Sequence, residues 1–211
     1  MSEKGQFASF SPDQLRAEAA IRKAAKAGNA EAQFRLGVMY GNGDGVGLDY
    51  EQARSWFEKA IAQGHENALI TLAWMYANGT GVEVDEERAR DLYLEAAKRG
   101  SAKAQYLVAT MYRFAQYGLA KDMALALEWY LKAADQGMPT AQLALGKLLM
   151  EGKGVMRDDA AALQWLSLAH VNGSKRAEDY VKHLIKRMDP VEVQKIRERM
   201  TSAPGDKNRD R

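Results

Sequence analysis

The residues of this chain that are best suited to chemistry are three histidines, a serine that follows an acidic stretch, and one glycine-rich segment. His65, His170 and His183 are scattered along the sequence, and no paired carboxylates accompany them at the spacing of metal ligands. In "DYEQARSW" nothing sets a base beside Ser55, so that serine is interpreted as a position on a helix surface. We therefore predict no metal site and no catalytic residue.

The glycine-rich segment "GNGDGVG", residues 41–47, is the part most similar to a phosphate-binding loop. Phosphate-binding loops follow a strand and open a helix, whereas this segment follows a helical pattern and recurs along the chain. The sequence contains no GxSxG, Walker-type or GxGxxG element. We therefore interpret the segment as a structural turn, and we predict no cofactor and no enzyme activity.

Composition and charge indicate an ordinary folded protein. The 211 residues are 46% hydrophobic and 27% charged, and 30 basic against 28 acidic residues leave a net charge of +2. That surplus is too small to indicate nucleic acid or a membrane surface as the main partner. Residues 174–211 hold eleven Lys/Arg and seven Asp/Glu. We interpret this basic end as a solvated cap, and an acidic partner is the alternative.

The sequence also bears on the compartment. It contains no cysteine, which excludes disulfides, thiolate metal sites and a cysteine nucleophile. The beginning, "MSEKGQFASFSPDQ", has no apolar core of the signal-peptide type. No run approaches the roughly 20 apolar residues that span a bilayer. We expect a cytoplasmic protein without membrane insertion.

The elements that must position any site come from an internal repeat, which appears when the chain is aligned with itself at a shift of 36 residues. The repeats are residues 29–64, 65–100, 101–137 and 138–173, and the third has one extra residue. Matched columns run through all four repeats. They include Ala32, Ala68, Ala104 and Ala141, then Tyr40, Tyr76, Tyr112 and Leu149, then Asp49, Asp85, Asp122 and Asp158.

Each repeat reads as two helices joined by a short glycine-rich turn. Asp49 is placed to cap the second helix, with Gln52 as the capping-box residue, and Gly64 is placed to end that helix. Small residues such as Gly37 let the helices approach closely, and Tyr40 and Trp56 are expected to fill the space around them. One such hairpin cannot bury its apolar face alone, but stacked copies bury each other's.

The pattern continues beyond the four repeats at both ends. Residues 12–28 align with a second helix alone and are predicted to be a capping half repeat. Residues 174–200 are predicted to be a half repeat and a cap helix, which Asp189 and Pro190 begin. Residues 1–11 and 201–211 are expected to be flexible.

The motif "AEAQFRLGVMYGNGDGVGLDYEQARSWFEKAIAQG" resembles the Sel1-like repeat. The resemblance implies an all-α fold, a right-handed superhelical α-solenoid of stacked antiparallel helix pairs of the tetratricopeptide type. It also implies work as an adaptor that assembles complexes. Some relatives are cysteine-rich, secreted and associated with penicillin-like compounds. This chain lacks the cysteines and the signal peptide, so that activity is not transferred.

The third repeat departs from the family motif. Its turn, "MYRFAQYGLAKD", has a single glycine, and Arg113, Phe114 and Tyr117 stand among the residues that replace the glycine-rich turn of the other repeats. We interpret the two aromatic residues either as partner contacts or as packing that replaces the missing glycine-valine contacts.

In stacked helix pairs the first helices line the concave face, which is the usual binding surface. Trp74 is the most informative residue there, because Val38, Thr110 and Lys147 hold its column in the other repeats. It reads equally well as a binding anchor or as a packing residue. The predicted contacts are Phe34, Val38, Asn42, Ile70, Trp74, Asn78, Tyr106, Thr110, Arg113, Phe114, Tyr117 and Lys147. Phe34, Ile70 and Tyr106 belong to an apolar floor that favours packing between neighbouring helices over partner contact. Asn42 and Asn78 either contact the partner or cap the end of their helix.

These observations predict a protein-protein interaction scaffold, adaptor or regulator that holds a segment of a partner in the concave face. We expect a monomer and a protein or peptide partner, with no nucleic acid. An immunity or inhibitor protein for a toxin or enzyme is an alternative that the residues do not separate from an adaptor. A hydrolase of penicillin-like substrates is the alternative from the enzyme class.

Overall fold

The computed structural model describes residues 12–202, which form eleven α-helices and, within that range, no strand. The helices are α1 (Pro12–Lys26), α2 (Ala30–Asn42), α3 (Tyr50–Ala62), α4 (Glu66–Asn78), α5 (Glu86–Lys98), α6 (Ala102–Phe114), α7 (Met123–Asp135), α8 (Pro139–Glu151), α9 (Asp159–Val171), α10 (Ala177–Arg187) and α11 (Pro190–Ser202). Helices α2, α4, α6 and α8 are the first helices of the four repeats, and α3, α5, α7 and α9 are the second helices.

The chain divides into two compact halves, an N-terminal half up to Ala96 and a C-terminal half from Ala97. In the N-terminal half α2 packs against α1 and α3, and α3 packs against α4. In the C-terminal half α6 packs on α7, α7 on α8 and α8 on α9, and α9 also contacts α10 and α11. Most of these contacts join helices that are neighbours in sequence, as stacked helix pairs require.

The turn inside each repeat is closed by the same backbone hydrogen bond. The N–H of Asp49 donates to the carbonyl of Tyr40 at 2.9 Å, and Asp85 and Asp122 bond to Tyr76 and Tyr112 in the same way. The Asp49 side chain accepts from the N–H of Gln52 at 2.9 Å, so the predicted N-cap is confirmed. The predicted capping box is wrong, because its reciprocal bond needs the Asp49 N–H, which the Tyr40 carbonyl already holds.

Glycine conformation follows the sequence pattern, with one exception in the third repeat. Gly43 and Gly45 have φ of 75° and 72°, as their turn requires, and Gly64 has 85°. In the third repeat Ala115 and Tyr117 stand at the positions of Gly43 and Gly45, and they hold left-handed φ of 54° and 52°. The turn of the third repeat therefore has a left-handed backbone at residues whose Cβ atoms make that conformation sterically unfavourable.

Phe57, rather than Trp56, fills the space beside Gly37. A Cβ atom on Gly37 would lie 2.6 Å from Cε1 of Phe57, whose side chain is 2% exposed. Trp56 is half-buried, with the Nζ of Lys59 3.9 Å from its ring centre. Trp56 packs against the buried cluster that includes Ala32 and Leu36, so its expected packing between the helices is confirmed. The ring next to Gly37 is that of Phe57, one residue further along α3, where the side chain is turned by about 100°.

Buried side-chain amides connect the helices in three of the four repeats. Gln33 donates to the carbonyl of Ala25 at 3.2 Å and accepts from the amide of Gln63 at 2.6 Å. Gln105 and Gln136 make the same pair at 2.8 Å, and Gln142 accepts from Asn172 at 3.0 Å. Leu69 takes the place of the first glutamine in the second repeat and is buried. Sequence reasoning missed this set, although the glutamine column was visible.

The C-terminal helices are held by a cap and an ion pair. Asp189 accepts from the N–H of Val191 at 2.7 Å, which confirms the predicted start of α11. Asp159 at the start of α9 pairs with Arg157 and with Arg187 of α10, each at 2.8 Å. These hydrogen bonds, that from Arg157 foremost, hold the pKa of Asp159 below its usual value. They join α9 to α10.

Two predicted flexible ends lie mostly outside the described residues. Residues 1–11 and 203–211 are outside them, and residues 201 and 202 belong to α11 rather than to a tail. None of the helices between residues 12 and 202 has the length and apolar character needed to cross a bilayer.

Candidate partner-binding site

In the N-terminal half, a small pocket opens on the first-helix face beside Trp74. It measures about 100 Å³, and Val38, Gly41, Asn42, Tyr50, Phe57, Thr71, Trp74, Met75 and Thr80 line it. Three predicted contact residues, Val38, Asn42 and Trp74, thus come together there. The lining carries no ionisable group apart from the Tyr50 phenol, so the pocket suits an apolar side chain.

Trp74 stands out in this pocket because it is large, apolar and 51% exposed. The residues around it on α4 are buried, including Leu72, Ala73 and Met75. The other side chains of α4 near Trp74 therefore pack in the core, while Trp74 itself faces solvent. An exposed indole next to an apolar pocket is the arrangement that binding anchors share.

Three other predicted contacts in this half are engaged elsewhere. Ile70 is 5% exposed, so its prediction as a partner contact is wrong: the side chain is part of the core. Phe34 is half-buried and stacks on the ring of His65, with 4.6 Å between ring centres. The amide of Asn78 donates to the carbonyl of Trp74 at 2.8 Å, which is a bond to its own helix end.

His65 caps α4 and ties it to α2. Its Nδ1 accepts from the N–H of Ala68 at 3.2 Å, and its Nε2 lies 3.1 Å from Glu31 Oε2. Because Nδ1 accepts, Nε2 carries the proton and donates to the carboxylate. The bond from His65, together with one from Arg35, lowers the pKa of Glu31. This histidine therefore has a structural role.

In the C-terminal half, a second pocket gathers most of the contacts predicted there. It measures about 260 Å³, and Tyr106, Thr110, Arg113, Phe114, Tyr130, Thr140, Leu143, Ala144, Lys147 and Arg176 line it. Helices α6 and α8 supply eight of these ten residues, α7 supplies Tyr130, and Arg176 comes from the residues before α10. Tyr117 is half-buried and does not line the pocket.

A hydroxyl contact and a ring contact between α6 and α7 form the floor of this second pocket. Thr110 and Tyr130 lie 3.1 Å apart at their hydroxyl oxygens, and the rings of Tyr106 and Tyr130 are 5.7 Å apart. Phe114 is 58% exposed at the rim, and the guanidinium of Arg113 lies 5.1 Å from its ring centre. The floor is therefore fixed, while an aromatic ring and a cation face outward.

Sequence reasoning missed Arg176 and Tyr130 as pocket residues. Arg176 lies after the fourth repeat, so no column pointed to it. Tyr130 occupies the same repeat position as the buried Phe57, on a second helix, whereas the predicted contacts lie on first helices and in the turn of the third repeat. The pocket forms because the start of α10 comes back toward α8, where Lys147 lies 5.0 Å from the ring centre of Tyr180.

A wider depression of about 590 Å³ lies at the turn before α5, lined by residues 81–88 together with Tyr50, Glu51, Arg54 and Tyr76. Its carboxylates are mostly exposed, and it is separate from the predicted contacts. Among residues 12–202, no three histidine or carboxylate side chains come together as a potential metal site.

The comparisons with known proteins give the family. The Sel1 repeat matches this chain four times, at residues 30–65, 67–101, 102–138 and 139–169. A Sel1 repeat protein from Oxalobacter formigenes is 37% identical, with a TM-score of 0.75 over 84% of this chain and 52% of that one. The c5321 protective antigen of uropathogenic Escherichia coli is 30% identical, with a TM-score of 0.72 over 84% of this chain and 38% of the antigen.

One curated relative is the chitin synthase regulator SKT5 of Saccharomyces cerevisiae, which is 40% identical over 63 residues. That match covers 30% of this chain and 9% of the yeast protein. The chain therefore spans only part of the length of the relatives it matches. The repeats and the two structural likenesses confirm the predicted all-α solenoid of stacked helix pairs, and the chain belongs to the Sel1 repeat family.

Proposed function

We propose that this protein is an interaction scaffold, adaptor or regulator that holds a segment of a partner protein on its first-helix face. The observation that carries the proposal is Trp74, an indole 51% exposed beside an apolar pocket. Burying such a side chain at an interface releases ordered water and gives a large contact area at little conformational cost.

A second aromatic anchor lies in the C-terminal half. Phe114 is exposed at the rim of its own pocket and stands at the end of a first helix, as Asn42 and Asn78 do in their repeats. Each half therefore offers a concavity with an exposed ring beside it. Apolar anchors that enter small pockets are the usual way in which a groove holds an extended or helical segment.

The family supports the same class of function. Sel1 repeats generally act in protein-protein interaction, and the yeast relative is named as a regulator of an enzyme. An immunity or inhibitor role is one form of such binding, and the identity of the partner would decide it. An enzyme is less well supported by the chemistry, because no serine, histidine or carboxylate lines either of the two pockets.

The test is binding by matched variants. Wild type, Trp74→Ala/Phe114→Ala and the control Leu131→Ala/Val171→Ala would serve as baits in quantitative affinity capture from the source cells. The control residues are exposed apolar side chains on second helices. Any enriched protein would then be purified and titrated against each variant.

We expect the aromatic double variant to lose at least about 30-fold in affinity, while the control variant keeps the wild-type Kd. Circular dichroism must show equal folding of all three proteins. Equal binding by the aromatic variant and wild type would contradict the first-helix site, and the absence of any protein partner would contradict the function.

A further inference from the structure

We propose that the pocket of the C-terminal half recognises an acidic segment of the partner, with carboxylates bound by Arg113, Lys147 and Arg176 and an apolar neighbour on Phe114. This inference rests on the proposed function and names the chemistry of the partner. Three cationic side chains line the pocket, and no carboxylate does. Charge complementarity therefore specifies the occupant.

In the described part of the chain, no carboxylate neutralises these three cations. Other cations of this half do have such partners: Lys132 pairs with Glu128 at 2.7 Å, and Lys182 pairs with Glu178 at 2.6 Å. The positive charge of the pocket is thus available for a ligand.

The wider charge distribution reinforces this local surplus. The sequence up to Ala96 holds ten basic and fifteen acidic residues, whereas the sequence from Ala97 holds twenty basic and thirteen acidic residues. Because the two halves have net charges of opposite sign, the net charge of the whole chain is small. A half with net charge +7 attracts an acidic segment over several ångströms before contact, which raises the association rate.

Shape and side-chain chemistry favour a peptide over a small molecule. The pocket of about 260 Å³ is below the roughly 300–1,000 Å³ of most small-molecule sites, so it accommodates side chains of a longer ligand. Arg113 is half-buried and lies over the ring of Phe114, which restrains its guanidinium. A restrained guanidinium suits two-point recognition of a carboxylate.

A peptide is also favoured over single-stranded nucleic acid. Nucleic-acid grooves combine a long track of cations with several rings on which successive bases stack. Here the cations are grouped at one pocket, and Phe114 is the only ring of the pocket lining that is largely exposed. An acidic residue beside an apolar one matches this layout.

The experiment uses a phage-displayed library of random 12-residue peptides selected on the full chain. Selection is repeated on Arg113→Gln/Lys147→Gln/Arg176→Gln and on the control Lys121→Gln/Lys186→Gln/Lys195→Gln. Both variants remove three positive charges from the same half, and the control residues are exposed and outside the pocket. Thermal melts establish that each protein is folded.

We expect selected peptides rich in Asp and Glu beside an aromatic or aliphatic residue. A synthetic peptide of the selected sequence should lose at least about tenfold in affinity for the pocket variant, and less than about twofold for the control. Its Kd should also rise as salt is raised, because screening weakens exposed charge pairs.

The possible failures are distinguishable. Peptides without acidic bias that bind the pocket variant and wild type equally would overturn this inference and leave the proposed function intact. If no peptide is enriched on wild type, both are overturned. Tighter binding of a labelled 12-nucleotide single-stranded RNA than of any selected peptide would overturn the acidic peptide as occupant.

Discussion

The side-chain amide of Gln63 donates to the side-chain oxygen of Gln33 at 2.6 Å, across thirty residues of sequence. Gln33 in turn donates to the carbonyl of Ala25, so one buried side chain joins α1, α2 and the end of α3. A buried amide with both partners in place specifies how three helices sit together. The bond from Gln33 to Ala25 links the first repeat to α1.

Replacing Gln33 by leucine should destabilise the protein, even though leucine stands at the corresponding position of the second repeat. The change removes the hydrogen bonds that Gln33 makes with the carbonyl of Ala25 and the amide of Gln63, at a cost of about 0.5–1.5 kcal/mol. Chemical denaturation measures it. Gln116→Leu, at an exposed position, is the control. Equal stability of the Gln33→Leu variant and wild type would show that water replaces the lost bonds.

Gly37→Ala should be destabilising, whereas Gly41→Ala on the same helix should not. A Cβ on Gly37 would lie 2.6 Å from Phe57 and 3.0 Å from the carbonyl oxygen of Ala53, whereas one on Gly41 meets Ala53 at 3.7 Å. Overpacking should cost about 1–3 kcal/mol at Gly37. Helix propensity should stabilise Gly41→Ala by up to about 1 kcal/mol. Thermal melts of both variants measure the difference, and a stable Gly37→Ala would contradict the packing.

Ala115→Gly should stabilise the turn of the third repeat. Ala115 holds φ at 54°, where the other repeats have glycine. Relief of left-handed strain should outweigh the entropy that glycine adds to the unfolded chain, for a net gain of about 0.5–1 kcal/mol. Ala124→Gly, at an exposed position within α7, should lose stability instead. If both changes lower the melting temperature, the strain argument fails.

Asp159→Asn should weaken the attachment of α10 in a pH-dependent manner. The pKa of Asp159 is lowered in the folded state, so its contribution is present above the pKa of an unfolded aspartate. That contribution is lost as the pH falls through the lower folded pKa. We expect a cost of about 0.5–1 kcal/mol at pH 7.

Urea titrations at pH 7 and in acid would measure this pH dependence. In strong acid, wild type and Asp159→Asn should have the same stability because the carboxyl group is then protonated in both states. A difference that is equally large at both pH values would mean that the ion pairs with Arg157 and Arg187 are not its cause.

Trp74→Ala should separate binding from stability. Since the side chain is half exposed, its loss should cost at most about 1–2 kcal/mol of folding free energy. Binding to a purified partner should lose about 2 kcal/mol or more, roughly 30-fold in Kd. Calorimetric titration beside a thermal melt measures both, with Leu131→Ala as the control. A variant that unfolds before it loses affinity would identify Trp74 as a packing residue.

The sequence by itself determined the features that depend on neighbours along the chain. The periodicity of the apolar residues indicated paired helices, and Asp49 and Asp189 were recognised as caps because an N-cap bonds to residues two or three positions on. Gly43 and Gly64 were recognised as turn residues because positive φ is a local requirement. The first-helix columns likewise brought Tyr106, Thr110, Phe114 and Lys147 into one predicted set, to which the irregular turn of the third repeat added Arg113.

Only the tertiary structure decided which of these side chains share a surface. Ile70 belongs to the core and Phe34 stacks on His65, while Arg176 joins the pocket from beyond the last repeat. The side chain beside Gly37 proved to be Phe57, because the rotation of one packed helix against another is set by the fit of many residues at once. Periodicity fixes the face of a helix only to within a residue or so, and long-range packing selects among those residues.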